Sequence, residues 1–268
     1  MRKLEVCAGS IESIKAAYEG GAYRVELCSA LSEDGLTPSV GMIRYAKSLE
    51  GLKVNVLIRP RCGDFVYTEE EIRCMEEDIR VCRELGVDGV VIGALTKEGD
   101  IDLTTCQRLV EAGKGMSITF HRAFDVCRNP QEAIEQIVAL GCDRLLTSGQ
   151  QPIAEQGIAM LKTLVSQVGE QLIIMPGSGV NPKNAAFILD STGAVEIHAS
   201  ARSSRVFGRL ETDSLVVKEI VENINLNNVC AAFLCILNKC VDYIHRFVRL
   251  RKDTVSTLNF EFNTHILH

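Results

Sequence analysis

Met116-Ser117-Ile118-Thr119-Phe120-His121-Arg122-Ala123-Phe124-Asp125 joins a short apolar run to three ionisable side chains, and Asn129-Pro130 just beyond reads as the start of a helix. The run is brief and rich in β-branched and aromatic residues, which fits a buried strand. A histidine, an arginine and an aspartate at its exit are poor core filler, because burying an unpaired charge is costly. The unit of strand, polar exit and capped helix is therefore a template for reading the rest of the chain.

From Lys3 to Ser200 the same unit recurs. Strands are expected over residues 4–7, 23–27, 54–58, 88–92, 116–120, 144–146, 172–175 and 194–197. Between them lie amphipathic segments with start and stop signals: Ser10 to Gly20-Gly21, residues 40–49, 68–85, 103–112, 130–140 and 153–168, and a helix opened by Asn181-Pro182. Residues 214–224 supply an eighth helix. Eight regular βα units predict an α/β fold, a parallel sheet closed as a (β/α)8 TIM-type barrel. A doubly wound sheet is the rival, but the pattern shows no switch. The barrel is expected to be one domain over residues 1–224. An atypical C-terminal tail, residues 225–268, follows as a divergent extension, helical or disordered.

Bulk composition narrows the function. With a net charge of −6 and no tryptophan, the chain lacks both the basic face and the stacking platform of a nucleic-acid binder. Eleven cysteines show no CxxC pair and no zinc spacing, so a reducing compartment is the simpler setting. Glu5 stands where a secretory leader needs apolar residues, and no apolar run is long enough for a membrane span. The expectation is a cytoplasmic protein, with the nucleus as a further compartment.

Period-two alternation assigns the barrel interior. Glu5 and Cys7 on the first strand, Glu26 and Cys28 on the second, Arg59 and Arg61 after the third, Thr119 and His121 on the fifth, and Glu196 and His198 on the eighth should point inward. Ser200 and Arg202 follow the last of these. Active sites of such barrels lie at the C-terminal ends of the strands. The bland alternative is a set of mutually neutralising buried pairs. Ser148-Gly149 and Gly177-Ser178-Gly179, at helix starts after strands six and seven, suit an anion. Cys7 and Cys28 end adjacent strands, about one strand spacing or ~5 Å apart. Two thiolates there could share a soft ion such as Cu(I); spacing alone leaves open that both are small buried apolar residues.

Glu5-Val6-Cys7, Arg24-Val25-Glu26-Leu27-Cys28-Ser29, Ile58-Arg59-Pro60-Arg61, Gly63-Asp64-Phe65, Gly93-Ala94-Leu95-Thr96, Phe120-His121-Arg122-Ala123-Phe124-Asp125, Leu146-Thr147-Ser148-Gly149, Met175-Pro176-Gly177 and Ser200-Ala201-Arg202 together resemble the CutC copper-homeostasis family. The resemblance runs from Lys3 to Arg205. It implies a TIM-type barrel, a cytoplasmic homo-oligomer and a role in copper homeostasis. Cu(I) would be held at Cys7 and Cys28, as in animal members of the family. The alternative is a barrel enzyme acting on a small anionic or phosphorylated metabolite. Arg59, Arg61 and the Gly177–Gly179 loop would then hold the anion, Glu26 or His121 would move a proton, and Asp125 would orient a neighbour. A third reading, an oligomeric scaffold, draws only on the cysteine-rich apolar tail.

Overall fold

Parallel strands covered by helices are buried on both faces, and the short apolar runs of this chain meet that demand. The computed structural model describes residues 1–203 and 210–226. Its strands are β1 (Lys3–Ala8), β2 (Arg24–Leu27), β3 (Lys53–Leu57), β4 (Gly89–Ile92), β5 (Ser117–Phe120), β6 (Arg144–Thr147), β7 (Ile173–Pro176) and β8 (Glu196–Ala199). All ladders are parallel and run in the order β7-β6-β5-β4-β3-β2-β1-β8. β7 and β8 lie side by side at the seam. This is the expected (β/α)8 barrel.

The helices are α1 (Ile11–Glu19), α2 (Val40–Lys47), α3 (Glu69–Glu84), α4 (Leu103–Ala112), α5 (Pro130–Ala139), α6 (Ile158–Val168) and α7 (Ala185–Thr192), with α8 over residues 214–226. Their starts follow local chemistry. The side chains of Ser10, Ser39, Asp102 and Asn129 each accept a backbone N–H at the third helical position, and Thr68 with Glu71 forms a reciprocal capping box. Val6, Leu27, Phe120 and Ile197 point outward from the strands and are fully buried in the layer between sheet and helices. A separate apolar cluster, Cys7, Cys28, Leu57 and Val91, sits inside the barrel.

Two helix starts differ from expectation. The helix expected from Ile153 begins at Ile158, because the preceding segment is pinned to the exit of β7: Ala154 N–H donates to the Ser178 carbonyl, and Ser178 Oγ donates to the Pro152 carbonyl. The helix expected from Asn181-Pro182 begins at Ala185. Asn181 Oδ1 accepts the Lys183 N–H, while its own N–H donates to Asn184 Oδ1, so the cap chemistry closes a turn before the helix proper.

Beyond β8, β9 (Arg202–Ser203) pairs antiparallel with β10 (Glu211–Thr212). Glu211 accepts from Ser10 Oγ at 2.6 Å and Ser13 Oγ at 2.7 Å, tying this ribbon to the start of α1. Val217 on α8 packs where Gly20 closes α1, with no room there for a Cβ. The expectations for the C-terminal extension fall, from residue 227 onward, outside the described residues. Among the described residues, no helix is long and apolar enough to cross a membrane.

Candidate functional site in the barrel mouth

The site rests on a floor of charge. Arg24 Nε donates to Glu5 Oε2, and Arg24 Nη2 donates to Glu196 Oε2 at 2.6 Å. Arg144 Nε donates to the same Glu196 oxygen at 2.6 Å and Arg144 Nη1 to Thr119 Oγ1 at 3.2 Å. All five side chains are buried. Burial pushes the Glu196 carboxyl up, but Arg24 and Arg144 outweigh it and hold the group below its ordinary value. Likewise burial opposes the Arg24 charge, and Glu5 and Glu196 keep it firmly protonated. Glu5, expected as a ligand-binding group, thus has one oxygen committed to the floor. Its other oxygen has no hydrogen-bond partner among the described residues and lies 4.0 Å from His198 Nε2.

Above the floor stand four reactive groups. The sulfurs of Cys7 and Cys28 are 3.6 Å apart, and both thiols are free. His198 Nε2 lies 2.9 Å from Glu26 Oε2. One ligand atom each from Cys7, Glu26 and His198 fall within 4.8 Å of one another, close enough to share an ion. The hydrogen bond with Cys28, then burial, raises the Cys7 thiol well above its ordinary 9.0. Burial opposes charge on both His198 and Glu26, yet their mutual attraction wins: the imidazole is raised well above 6.5 and the carboxyl is lowered. The pair is therefore an imidazolium and a carboxylate at neutral pH. Gly177 makes room for it, since a Cβ there would meet the His198 ring at 3.3 Å and Leu146 at 2.5 Å.

These groups open into a cavity of about 640 Å³ at the C-terminal ends of the strands. Arg59 and His121 form part of its wall. Arg59 donates from Nη1 to the carbonyls of Glu33 (3.0 Å) and Gly35 (3.1 Å) and from Nη2 to that of Gly63 (2.8 Å). Among the described residues it touches no carboxylate; the buried Tyr67 hydroxyl interacts with it, and the Phe65 ring lies 5.1 Å from its guanidinium carbon. His121 Nδ1 accepts the Ala123 N–H at 3.2 Å, while its buried Nε2 has no hydrogen-bond partner among the described residues. Burial lowers this imidazole to about 4, so it is neutral at pH 7. Arg202 also lines the cavity.

Other expectations need correction. Arg61 does not line the cavity: it donates to Glu71 at 2.6 Å and Asp64 at 2.8 Å and braces its own loop. Ser148 and Gly149 do not form an open anion cradle. The Ser148 N–H donates to both Asp125 oxygens, the Gln150 N–H donates to Asp125 Oδ1 at 3.2 Å, and the Gly149 N–H is taken by Thr147 Oγ1 at 2.9 Å. The Gly177 N–H is spent on the Thr147 carbonyl at 3.0 Å. Asp125, itself held by Arg122 Nε at 2.7 Å, fills the nest as an internal anion. Gly179 lines the cavity, but its φ of +71° and the Ile153 side chain against it account for the glycine. Sequence reasoning missed Arg24 and Arg144 altogether. It also missed Asn55, whose buried amide has no hydrogen-bond partner among the described residues.

A near-closed parallel (β/α)8 barrel thus brings two free thiols and an imidazolium–carboxylate couple to an open cavity at its strand ends. The chain belongs to the CutC family, whose model matches residues 2–203. A family protein CutC of Bacteroides thetaiotaomicron is 53% identical over 203 residues, covering 75% of this chain and 82% of the relative. The crystal structure of CutC from Streptococcus agalactiae, provisionally assigned to copper homeostasis, superposes with a TM-score of 0.72 at 37% identity, covering 75% of this chain and 99% of that one. Thiamine phosphate pyrophosphorylase of Pyrococcus furiosus, at 18% identity and a TM-score of 0.56 over 83% of this chain and 95% of its own, shares the barrel fold.

Proposed function

We propose that this protein serves copper homeostasis by holding Cu(I) between Cys7 and Cys28, as a carrier or buffer. The carrying observation is the 3.6 Å separation of two free sulfurs beneath an open cavity. Thiolates select soft ions, Cu(I) among them, whereas a structural zinc would want four nitrogen or sulfur ligands. His198 and Glu26 adjoin the thiols; the imidazolium favours the thiolate form of Cys7 and so helps the proton leave when metal enters. On this reading the protein works in the reducing cytoplasm, where free thiols persist. Residues 1–224 are its copper-binding barrel and residues 225–268 an appended extension. The homo-oligomer implied by the family is checked by sedimentation of the full chain. Cu(I) titration against a chromophoric chelator under anaerobic conditions tests the site: the Cys7→Ser/Cys28→Ser double variant should lose tight binding, and unchanged affinity would sink the assignment.

A second reading, an enzyme acting on a small anionic metabolite, is favoured by the Glu26–His198 couple, which can pass a proton at the cavity floor. Turnover that survives Glu26→Gln and His198→Phe would count against it.

A further inference from the structure

Cys7, Glu26 and His198 are each the last residue but one of a strand, in β1, β2 and β8. β1 pairs with β2 on one side and with β8 on the other, and Cys7 stands opposite Glu26 in the register. Three adjacent strands thus carry the three side chains to one point, although positions 7, 26 and 198 show no ligand spacing in the sequence. One ligand atom from each lies within 4.8 Å of the others, and all three residues line the open cavity. The Glu26–His198 contact would be complete as a buried ion pair and needs no thiol beside it. A further acceptor stands next to the cluster. Glu5 is 1% exposed, and its Oε1, which has no hydrogen-bond partner among the described residues, lies 4.0 Å from His198 Nε2. A buried carboxylate oxygen without a donor is costly, and a cation held by His198 would set a positive charge near it.

We propose that Cys7, Glu26 and His198 bind a divalent cation of the zinc class, with its fourth position open to the cavity. One sulfur, one nitrogen and one oxygen make a borderline donor set that suits Zn²⁺, whereas Cu(I) selects paired sulfurs. Three protein ligands and one open position is the arrangement of zinc sites that take up water or substrate; closed structural sites use four. With bonds of ~2.0–2.3 Å, neighbouring ligand atoms of a tetrahedral ion stand ~3.3–3.8 Å apart. His198 Nε2 and Glu26 Oε2, 2.9 Å apart, would part slightly and the Cys7 sulfur would close in. On binding, the Cys7 thiol and His198 Nε2 each release a proton to solvent. The thiolate and the Glu26 carboxylate then balance the two positive charges. Cys28 is not one of the three, so the site shares Cys7 with the copper reading but does not rest on it.

The full chain, stripped of metal with a chelator and kept anaerobic, is titrated with Co²⁺ as an optical probe and with Zn²⁺ against a chromophoric chelator. Co²⁺ should bind at one ion per chain, with the visible absorption of a four-coordinate ion and a sulfur-to-metal charge-transfer band, and Zn²⁺ should displace it. Cys7→Ser should remove that band. Glu26→Gln and His198→Phe should each weaken Zn²⁺ binding roughly tenfold or more, since even residues that only support a metal ligand are worth that much. If one of these two variants does not fold, as read by far-UV circular dichroism, the other decides. Cys28→Ser should keep the Co²⁺ band and the Zn²⁺ affinity while losing tight Cu(I) binding, so the two sites fail separately. Absence of Co²⁺ and Zn²⁺ binding at one ion per chain, unchanged Zn²⁺ affinity in folded Glu26→Gln or His198→Phe, or a charge-transfer band that needs Cys28 as much as Cys7 would overturn the proposal.

Discussion

Glu196→Gln removes one negative charge from the floor of the barrel while leaving its shape nearly intact. In the native protein one oxygen of Glu196 accepts from both Arg24 and Arg144 at 2.6 Å, and the other lies 3.5 Å from Lys3 Nζ. An amide oxygen can still accept both hydrogen bonds. The charge balance changes instead: Arg24 keeps Glu5, but Arg144 is left with the hydroxyls of Thr119 and Ser117. Removing one partner of a buried ion pair costs about 3–5 kcal/mol, most of it from the stranded charge. Arg144→Met in the Glu196→Gln background takes that charge away and should restore part of the loss. The four proteins of this cycle, compared by urea denaturation followed by far-UV circular dichroism, should give a coupling of roughly 1–3 kcal/mol. The pH dependence supplies a second check. The folded-state pKa of Glu196 lies below its ordinary 4.5, so its contribution is fully present above that value. It is lost as pH falls through the lower folded value, where the carboxyl protonates. The gap between wild type and Glu196→Gln should therefore close in acid. A destabilisation under about 1 kcal/mol, as for an exposed pair, would refute the reasoning.

Three further outcomes are expected. Because the Cys7 thiol is raised well above 9.0 and only a thiolate binds metal, Cu(I) uptake should release protons, and affinity should rise with pH through the neutral range; pH-stat titration that records no release would contradict this. Gly93→Ala places a methyl within 2.5 Å of two His121 ring atoms, so it should cost about 1–3 kcal/mol and displace the imidazole, read as a shifted His121 resonance. Asp125→Asn keeps the size of the group that fills the nest after β6 but loses its charge. A destabilisation of about 1.5–3 kcal/mol by thermal or urea unfolding is expected, since hydrogen bonds to charged groups are the stronger kind.

The barrel was legible because each strand carried its own boundary signals, and errors of a residue or two left the faces unchanged. β8 is the clearest case: it was expected over residues 194–197 and runs over Glu196–Ala199, a slip of two that keeps Glu196 and His198 inward. The same parity located Cys7, Glu26, Cys28 and His121 at the mouth. Arg24 and Arg144 shared that parity but open their strands, where a charge reads as a solvated flank; their carboxylate partners lie on distant segments. Alternation was carried too far at Arg61. β3 ends at Leu57, and once the backbone leaves the strand, period two no longer fixes direction. The nest after β6 could not have been read locally either, because the carboxylate that fills it comes from the previous βα loop.

That carboxylate ties two loops together. Asp125 is tethered to the fold, so its local concentration at the nest exceeds any that free phosphate reaches in a cell. On this side of the mouth the N–H groups of Ser148 and Gln150 are thereby satisfied from within the chain. A residue without an acidic group at position 125 would strand two backbone donors at once, so one side chain couples the order of the loop after β5 to that of the loop after β6.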